Sequence, residues 1–276
     1  MRLNQVISTA IKKLSHSDTP RLDAEVLLCH VLDVTRSYLY AWSDKVITAN
    51  QYNQFQELLE HRIKGVPIAY IIGNKEFWSL DLQVSENTLI PRPETELLVE
   101  LVLARLDLNS QAKVIDLGTG SGAIALAIAK ERVNCNVIAT DKSTTALAIA
   151  KQNAKQLGLE RVKFLQSDWL NNLGIADVIV SNPPYIAAAD PHLNQGDVQY
   201  EPRTALIAGN DGLADIRTII AQTPNHLTDR GCLLLEHGYD QATAVRGLLK
   251  QFEFVETYQD LAGLDRVTVG VPRPIA

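Results

Sequence analysis

The 276-residue sequence predicts an α/β fold, a doubly wound and mostly parallel sheet preceded by a small helical domain. Three observations carry this reading. From about residue 94 onward, short β-branched apolar runs alternate with helical stretches. A glycine turn, Gly118-Thr119-Gly120-Ser121-Gly122, joins the first such run to a small-residue helix. Residues 1–66, by contrast, hold apolar stripes of helical period only. Alternation at this spacing demands parallel strands covered on both faces.

Within residues 1–66, Val6, Ala10, Ile11 and Leu14 share one helical face. A second stripe, with Ala24, Val26, Leu27, Leu28, Val31 and Leu32, follows Pro20, and Phe55, Leu58, Leu59 and Ile63 form a third. Gly65 and Pro67 stop that third helix: glycine supplies a left-handed cap and proline cannot continue the ladder. Residues 67–93 read as hairpin and linker, with strand-like runs at 68–72 and 77–84 around the turn pair Gly73-Asn74. Ile90-Pro91-Arg92-Pro93 is a stiff extended connector. Residues 94–276 open with a helix at 94–108. Strands are expected at 113–117, 136–140, 161–166, 176–181, 232–236, 252–258 and 265–271, with helices at 123–132, 143–157, 213–222 and 239–250 between them. The loop through Gly263 is short enough for a hairpin, so one of the last two strands is expected to run antiparallel.

The most informative residues are Asn182-Pro183-Pro184-Tyr185, directly after the run at 176–181. Two prolines lack N–H groups and have fixed φ, so the chain must leave the sheet there in a stiff turn. Open α/β sheets bind ligands at such carboxyl ends. The turn can hold a planar –NH2 group: the Asn182 oxygen and a proline carbonyl accept its hydrogens, and Tyr185 lies against its face. The plain alternative is a rigid loop. Upstream, the glycine turn permits close backbone approach, and the following helix presents free N–H groups. Its spacing is not the GxGxxG of a dinucleotide site. Asp141, at the tip of the strand 136–140, is suited to a ribose diol or to capping the helix 143–157.

Bulk properties narrow the field. Lys+Arg 26 against Asp+Glu 32 gives a net charge of −6, which argues against tight non-specific duplex binding. Cys29, Cys135 and Cys232 sit singly in apolar segments and read as free thiols of a reducing compartment. His16, His30, His61, His192, His226 and His237 show no metal-ligand spacing, so no metal site is read. Residues 1–14 have no signal-peptide core, and no apolar run approaches the roughly 20 residues of a membrane span. A cytoplasmic protein is expected.

These motifs resemble those of class I S-adenosylmethionine-dependent methyltransferases, and most closely the HemK/PrmC-type protein-(glutamine-N5) methyltransferases of release factors. The similarity runs from about Leu14 to the C-terminus. It is carried by 114–122, Asp141, Ser167-Asp168-Trp169 and 181–185, with Ile90-Pro91-Arg92-Pro93-Glu94-Thr95-Glu96, Tyr200-Glu201-Pro202-Arg203-Thr204-Ala205-Leu206 and Leu261-Ala262-Gly263-Leu264-Asp265-Arg266-Val267 beside them. The resemblance implies a seven-stranded methyltransferase sheet and S-adenosyl-L-methionine as cofactor. It implies that Gly118, Thr119, Gly120, Ser121 and Gly122 meet the cofactor's amino-acid moiety and Asp141 its ribose. Trp169 would face the adenine, with core filling as the alternative. Asp116 either reaches the cofactor's amino group or braces the glycine loop. Asn182, Pro183 and Tyr185 are the expected catalytic residues, Pro184 joins them in holding the acceptor, and Asn182 also borders the cofactor. The implied substrate is the glutamine of a release factor's Gly-Gly-Gln motif, with residues 1–66 recognising the protein and no membrane or stable nucleic-acid partner. Methylation of exocyclic amino groups in DNA or RNA shares Asn-Pro-Pro-Tyr, and methylation of a ribosomal-protein glutamine shares the whole site. A non-catalytic nucleotide-binding module leaves the pairing of glycine loop and Asn182 unexplained.

Overall fold

Two units organise the chain, Met1–Asn74 with Asn194–Tyr200, and Lys75–Leu193 with Glu201–Ala276. The computed structural model describes residues 1–15 and 17–272. His16 and the last four positions of the domain expected at 94–276 lie outside the described residues.

The first unit is helical: α1 (Leu3–Lys13), α2 (Pro20–Leu32), α3 (Arg36–Ala41), α4 (Ala49–Ile63) and α5 (Ile68–Ile72). The expected stripes meet in one core that holds Leu3, Val6, Ala10, Leu27, Phe55 and Leu59. Pro20 opens α2, where its missing N–H costs nothing. Thr48 caps α4 in a reciprocal box with Gln51. Arg62 bridges Asp23 at 2.7 Å and Asp197 at 2.8 Å, tying the segment Asn194–Tyr200 to the helices.

The hairpin expected around Gly73-Asn74 is displaced. Residues 68–72 are not a strand but α5, started by Pro67 and closed by Gly73 at φ 78°. A five-residue apolar run does not distinguish a buried helical turn from a strand. The hairpin is β1 (Asn74–Phe77) and β2 (Leu80–Gln83), and its turn residues Trp78 and Ser79 both have positive φ (52° and 54°). Such a turn ordinarily takes Asn or Gly, so nothing in Trp-Ser announced it.

The seven-stranded sheet contains β3 (Lys113–Leu117), β4 (Asn136–Asp141), β5 (Lys163–Gln166), β6 (Ala176–Ser181), β7 (Leu227–Glu236), β8 (Phe252–Gln259) and β9 (Asp265–Pro272), in the order β5-β4-β3-β6-β7-β9-β8. The first five strands in that order pair in parallel, and β9 runs antiparallel to both β7 and β8. The expected terminal hairpin is therefore present. Side-chain alternation sends Val114, Val137, Val178 and Val180 to one face and Ile115, Leu117, Ile138 and Ile179 to the other. The valine face is covered by α6 (Glu96–Leu103), α7 (Ala123–Glu131) and part of α8 (Thr144–Gln156), the isoleucine face by α9 (Ala214–Gln222) and α10 (Ala242–Leu248). Every residue from Ala123 to Ala129 is buried, and the small side chains there let α7 lie close to the sheet.

Several boundaries differ from expectation. The helix expected at 94–108 begins as a 3₁₀ turn at Pro93–Thr95 and ends at Leu103. β7 starts at Leu227, five residues earlier than the expected 232, and β5 covers only the last four residues of 161–166. The stretch between β6 and α9 carries three 3₁₀ turns, Pro191–Asn194, Gly196–Tyr200 and Arg203–Ala205, whose short length leaves no periodic signal.

Candidate active site

The parallel strands β3, β4, β5 and β6 end on one side of the sheet, and a cavity of ≈ 610 Å³ opens there. That volume is in the range of small-ligand sites. Gly118, Gly120, Asp141, Trp169, Asn182 and Pro184 all line it. Residues far apart in sequence are thus brought together by the strand order alone. Thr119, Ser121, Gly122, Pro183 and Tyr185 are not among the side chains that line it, though each is next in sequence to a residue that is or lies in the same turn.

The glycine loop is held by its own hydrogen bonds. Thr119 N–H donates to the Thr140 carbonyl (2.8 Å), Gly120 N–H to Asp141 Oδ2 (2.9 Å) and Gly122 N–H to the Thr119 carbonyl (2.8 Å). Three of the five N–H groups expected to meet a ligand therefore already have acceptors. What the loop offers is access: Gly120 is left-handed at φ 57°, and a Cβ there would meet nothing within 4 Å. Gly122 serves packing instead, since a Cβ would come within 3.0 Å of Leu126 and 3.3 Å of Ala150.

Asp116 braces this loop. Its Oδ2 accepts from Thr119 Oγ1 (2.6 Å) and Ala125 N–H (3.2 Å), and it is fully buried. Its Oδ1 has no hydrogen-bond partner among the described residues. Burial pushes the carboxyl up to about 7, with a smaller push from Asp141, while the two hydrogen bonds oppose the rise. A folded-state value above the unfolded one means that folding holds the proton, so stability is lost as pH rises through that range. Asp116→Asn keeps an acceptor for both donors and carries no charge. Its stability relative to the unsubstituted protein is expected to grow between pH 4 and pH 8 by on the order of 2–4 kcal/mol. Denaturant melts at the two pH values check this, and an unchanged difference would mean that the ionised carboxylate costs nothing where it sits.

Asp141 has one bond on each oxygen, from Gly120 N–H and from Ser143 N–H (2.8 Å). The cap of α8 is Ser143, whose Oγ accepts from Ala146 N–H. Trp169 sits at positive φ (52°) with its ring over Gly118, where a Cβ would come 3.5 Å from it. Asp215, in the first turn of α9, lines the cavity together with Trp169, and sequence reading missed it. Burial raises the Asp215 carboxyl, and the neighbouring Trp169 indole opposes the rise.

Two flanking stretches build the remaining wall. Glu201, 3% exposed, accepts from Arg92 Nη2 at 2.6 Å and from Ile90 N–H at 3.4 Å. This pair ties 90–96 to 200–206, and Pro202, Thr204 and Ala205 line the cavity together with Asn87–Leu89. At the exit of Asn-Pro-Pro-Tyr, the Tyr185 carbonyl accepts from Gln241 Nε2 (2.9 Å), and a Cβ on left-handed Gly212 would collide with it. Neither Gly212 nor Gln241 carries a sequence signal for this role.

The Asn182 amide is asymmetric in its contacts. Its Nδ2 donates to Thr95 Oγ1 at 3.0 Å, and its oxygen makes no hydrogen bond with a described residue. Tyr185 is turned inward, with its hydroxyl 3.4 Å from Glu236 Oε1; burial, then Glu236, raises its pKa. Glu236 is fully buried at the end of β7, and burial pushes it up to about 7.

The lining fits S-adenosylmethionine. It combines an open glycine cradle, a flat indole and the carboxylates of Asp141, Asp168 and Asp215 for a cationic ligand with a diol. Fold and site together define a class I S-adenosylmethionine-dependent methyltransferase. Residues 5–73 match the PrmC N-terminal domain and residues 94–197 the methyltransferase small domain. A release factor glutamine methyltransferase of Xylella fastidiosa (strain Temecula1) is 53% identical, covering 91% of this chain and 92% of its own. The enzyme of the same name from Escherichia coli (strain K12) is 47% identical over 98% of this chain and 99% of its own. In three dimensions, a T. thermophilus 16S rRNA N2 G1207 methyltransferase in complex with AdoMet and guanosine shares the fold, with TM-score 0.53, 18% identity and coverage of 72% of this chain and 50% of that one. The chain belongs to the release factor glutamine methyltransferase family.

Proposed function

We propose that this chain methylates the side-chain amide nitrogen of the glutamine in a release factor's Gly-Gly-Gln motif, with S-adenosylmethionine as donor. The observation that carries the reading is Asn182, on the cavity wall with its nitrogen committed to Thr95 and its oxygen free to accept. When bound, S-adenosylmethionine supplies a methyl group made electrophilic by its sulfonium. An amide nitrogen is a poor nucleophile because its lone pair is delocalised. Asn182 Oδ1 and the Pro183 carbonyl accept the two amide hydrogens, which turns the lone pair toward the methyl and offsets positive charge as it develops on nitrogen. Tyr185 supports the turn behind the planar amide. The surplus proton leaves after transfer.

Gly118 and Gly120 admit the donor's amino-acid end, Asp141 holds its ribose hydroxyls and Trp169 flanks its adenine. Asp141→Ala is expected to weaken S-adenosylmethionine binding by about 1.5–3 kcal/mol, the scale of hydrogen bonds to a charged group. Calorimetry with unchanged affinity would assign Asp141 to the turn alone. Among the described residues no helix is long and apolar enough to cross a membrane, and a release factor substrate places the reaction in the cytoplasm. The deciding assay offers labelled donor to purified release factors, ribosomal proteins and nucleic acid side by side. Label on the Gly-Gly-Gln glutamine is expected; label on nucleic acid with release factor untouched would overturn the reading.

A further inference from the structure

We propose that Gln241 is a positioning residue for methyl transfer: by holding the Tyr185 carbonyl it fixes the direction of the Pro183 carbonyl. This rests on the reading that Asn182 Oδ1 and the Pro183 carbonyl accept the two hydrogens of the substrate amide. Asn182 has a tether of its own, the 3.0 Å bond to Thr95. The Pro183 carbonyl has none, and neither it nor the Pro184 carbonyl accepts a hydrogen bond from a described residue. Both prolines also lack an N–H, so the backbone cannot tie itself down between them. Their rings fix φ, but ψ at Pro183 keeps a range of roughly 40°, and rotation about it swings the carbonyl. Its direction is therefore set by the fixed points on either side. Upstream, β6 pairs with β3 and β7 as far as Ser181. Downstream, the first carbonyl with a partner is that of Tyr185, held by Gln241.

Three turns meet at that carbonyl. Gln241 Nε2 donates to it at 2.9 Å, and Gln241 Oε1 accepts from Gly238 N–H at 2.9 Å. A peptide carbonyl only accepts and a peptide N–H only donates, so the partners assign both ends of the Gln241 amide. Gly212, at φ 73°, lies against the same group: a Cβ there would stand 2.3 Å from the Tyr185 oxygen and 2.8 Å from Gln241 Nε2. Glycine leaves room for the bond, and no other residue does. The choice of glutamine has no local cause. Gln241 is the cap position of α10, where a short Ser, Thr, Asp or Asn ordinarily bonds the helix's own N–H groups. Its side chain makes no such cap and reaches Tyr185 instead, 56 residues away in sequence. The Tyr185 ring packs against the isoleucine-face core, and its hydroxyl lies 3.4 Å from Glu236 Oε1, so ring and carbonyl are held by different elements. Gln241 itself is not in the cavity lining, which is why its role is one of orientation.

The test separates the two ends of Gln241 at pH 8 with saturating donor. Gln241→Glu keeps the acceptor for Gly238 N–H but sets a carboxylate oxygen against the Tyr185 carbonyl, acceptor against acceptor. It is expected to lower kcat on release factor at least about tenfold, within the ~10²-fold that a misplacement of about 1 Å can cost. Gln241→Lys does the opposite: it gives up the Gly238 end and keeps a donor for Tyr185. Gln241 is only half-buried, so the longer side chain has room. This variant is expected to recover kcat to within about threefold of the unsubstituted enzyme, the scale of one neutral hydrogen bond. A residue that merely braced the turn before α10 would give the reverse order, because the Gly238 bond lies in that turn. Donor affinity by calorimetry and KM for release factor are expected to be unchanged in both variants. Ile186 N–H, which donates to the Leu206 carbonyl at 2.9 Å, is expected to stay protected from hydrogen exchange, reporting that the segment beyond the turn remains docked. Unchanged kcat in Gln241→Glu would overturn the proposal. So would a Gln241→Lys variant as slow as Gln241→Glu or slower, or a fall in kcat that comes with lost Ile186 protection. Unchanged turnover of Asn182→Ala would instead remove the functional reading beneath it.

Discussion

Asn182→Ala is expected to lower the rate of methyl transfer by ~10²–10³-fold, the cost of removing one preorganised group aimed at developing charge. The loss belongs to the chemical step. Without Oδ1, one hydrogen of the substrate amide has no fixed acceptor, and the lone pair no longer points at the methyl. Donor binding should persist in large part, because Gly120, Asp141 and Trp169 are untouched and the two prolines still set the turn. Asn182→Asp is the sharper comparison. It keeps an oxygen acceptor and nearly the same volume, but it cannot donate to Thr95, so the turn loses the 3.0 Å anchor. Measurable activity is expected, impaired but well above that of the Ala variant. Single-turnover rates with pre-bound donor, set beside calorimetric donor affinity, separate the two steps. Wild-type turnover in Asn182→Ala would reduce Asn-Pro-Pro-Tyr to a stiff turn with no part in holding the amide.

How much of this site was legible in the sequence follows from the range of each cause. The sheet was legible because a parallel strand buried on both faces needs a short, continuous β-branched run, and 113–117, 136–140 and 176–181 each show one. Asn182 and Asp141 were legible because they directly follow or end such runs, where a carboxyl strand end faces the ligand side. The supporting residues were not. Thr95 and Glu236 meet Asn182 and Tyr185 only because β6 and β7 lie side by side and the turn at Pro93–Thr95 folds against their ends. Asp215, Gln241 and Gly212 reach the site across similar sequence distances. The displaced hairpin failed for a local reason: apolar residues at 68–72 satisfy a helical turn and a strand equally, and proline and glycine at its ends suit both. The pairing of 90–96 with 200–206 through Arg92 and Glu201 was visible only as two unexplained motifs until the ion pair joined them.

Removing residues 1–66 is expected to leave donor affinity nearly unchanged and to lower methylation of an intact release factor by ~10²-fold or more. This follows from our proposal that the helical domain recognises the protein substrate and takes no part in the chemistry. Every residue that lines the cavity belongs to the second unit, which has its own two cores on the faces of the sheet. The helical unit is closed around a separate core and contributes none of those residues. A glutamine side chain offers few contacts by itself, so the binding energy that holds its amide in place must come from the remainder of the substrate. The truncation has two structural side effects: Ile68, Ile71 and Ile72 lose the core they pack against, and Asn194–Tyr200 loses the Arg62 partner of Asp197 and the Lys64 carbonyl that accepts from Tyr200. Arg62→Met removes the ion pairs to Asp23 and Asp197 while keeping the helices, and so isolates the effect on Asn194–Tyr200. The expected order of activity on intact release factor is unsubstituted chain, then Arg62→Met, then the truncated chain far below both. On a short peptide carrying Gly-Gly-Gln, all three should be similarly slow, because that substrate offers nothing for the helical domain to grip. Full activity of the truncated chain on intact release factor would assign substrate recognition to the catalytic unit alone.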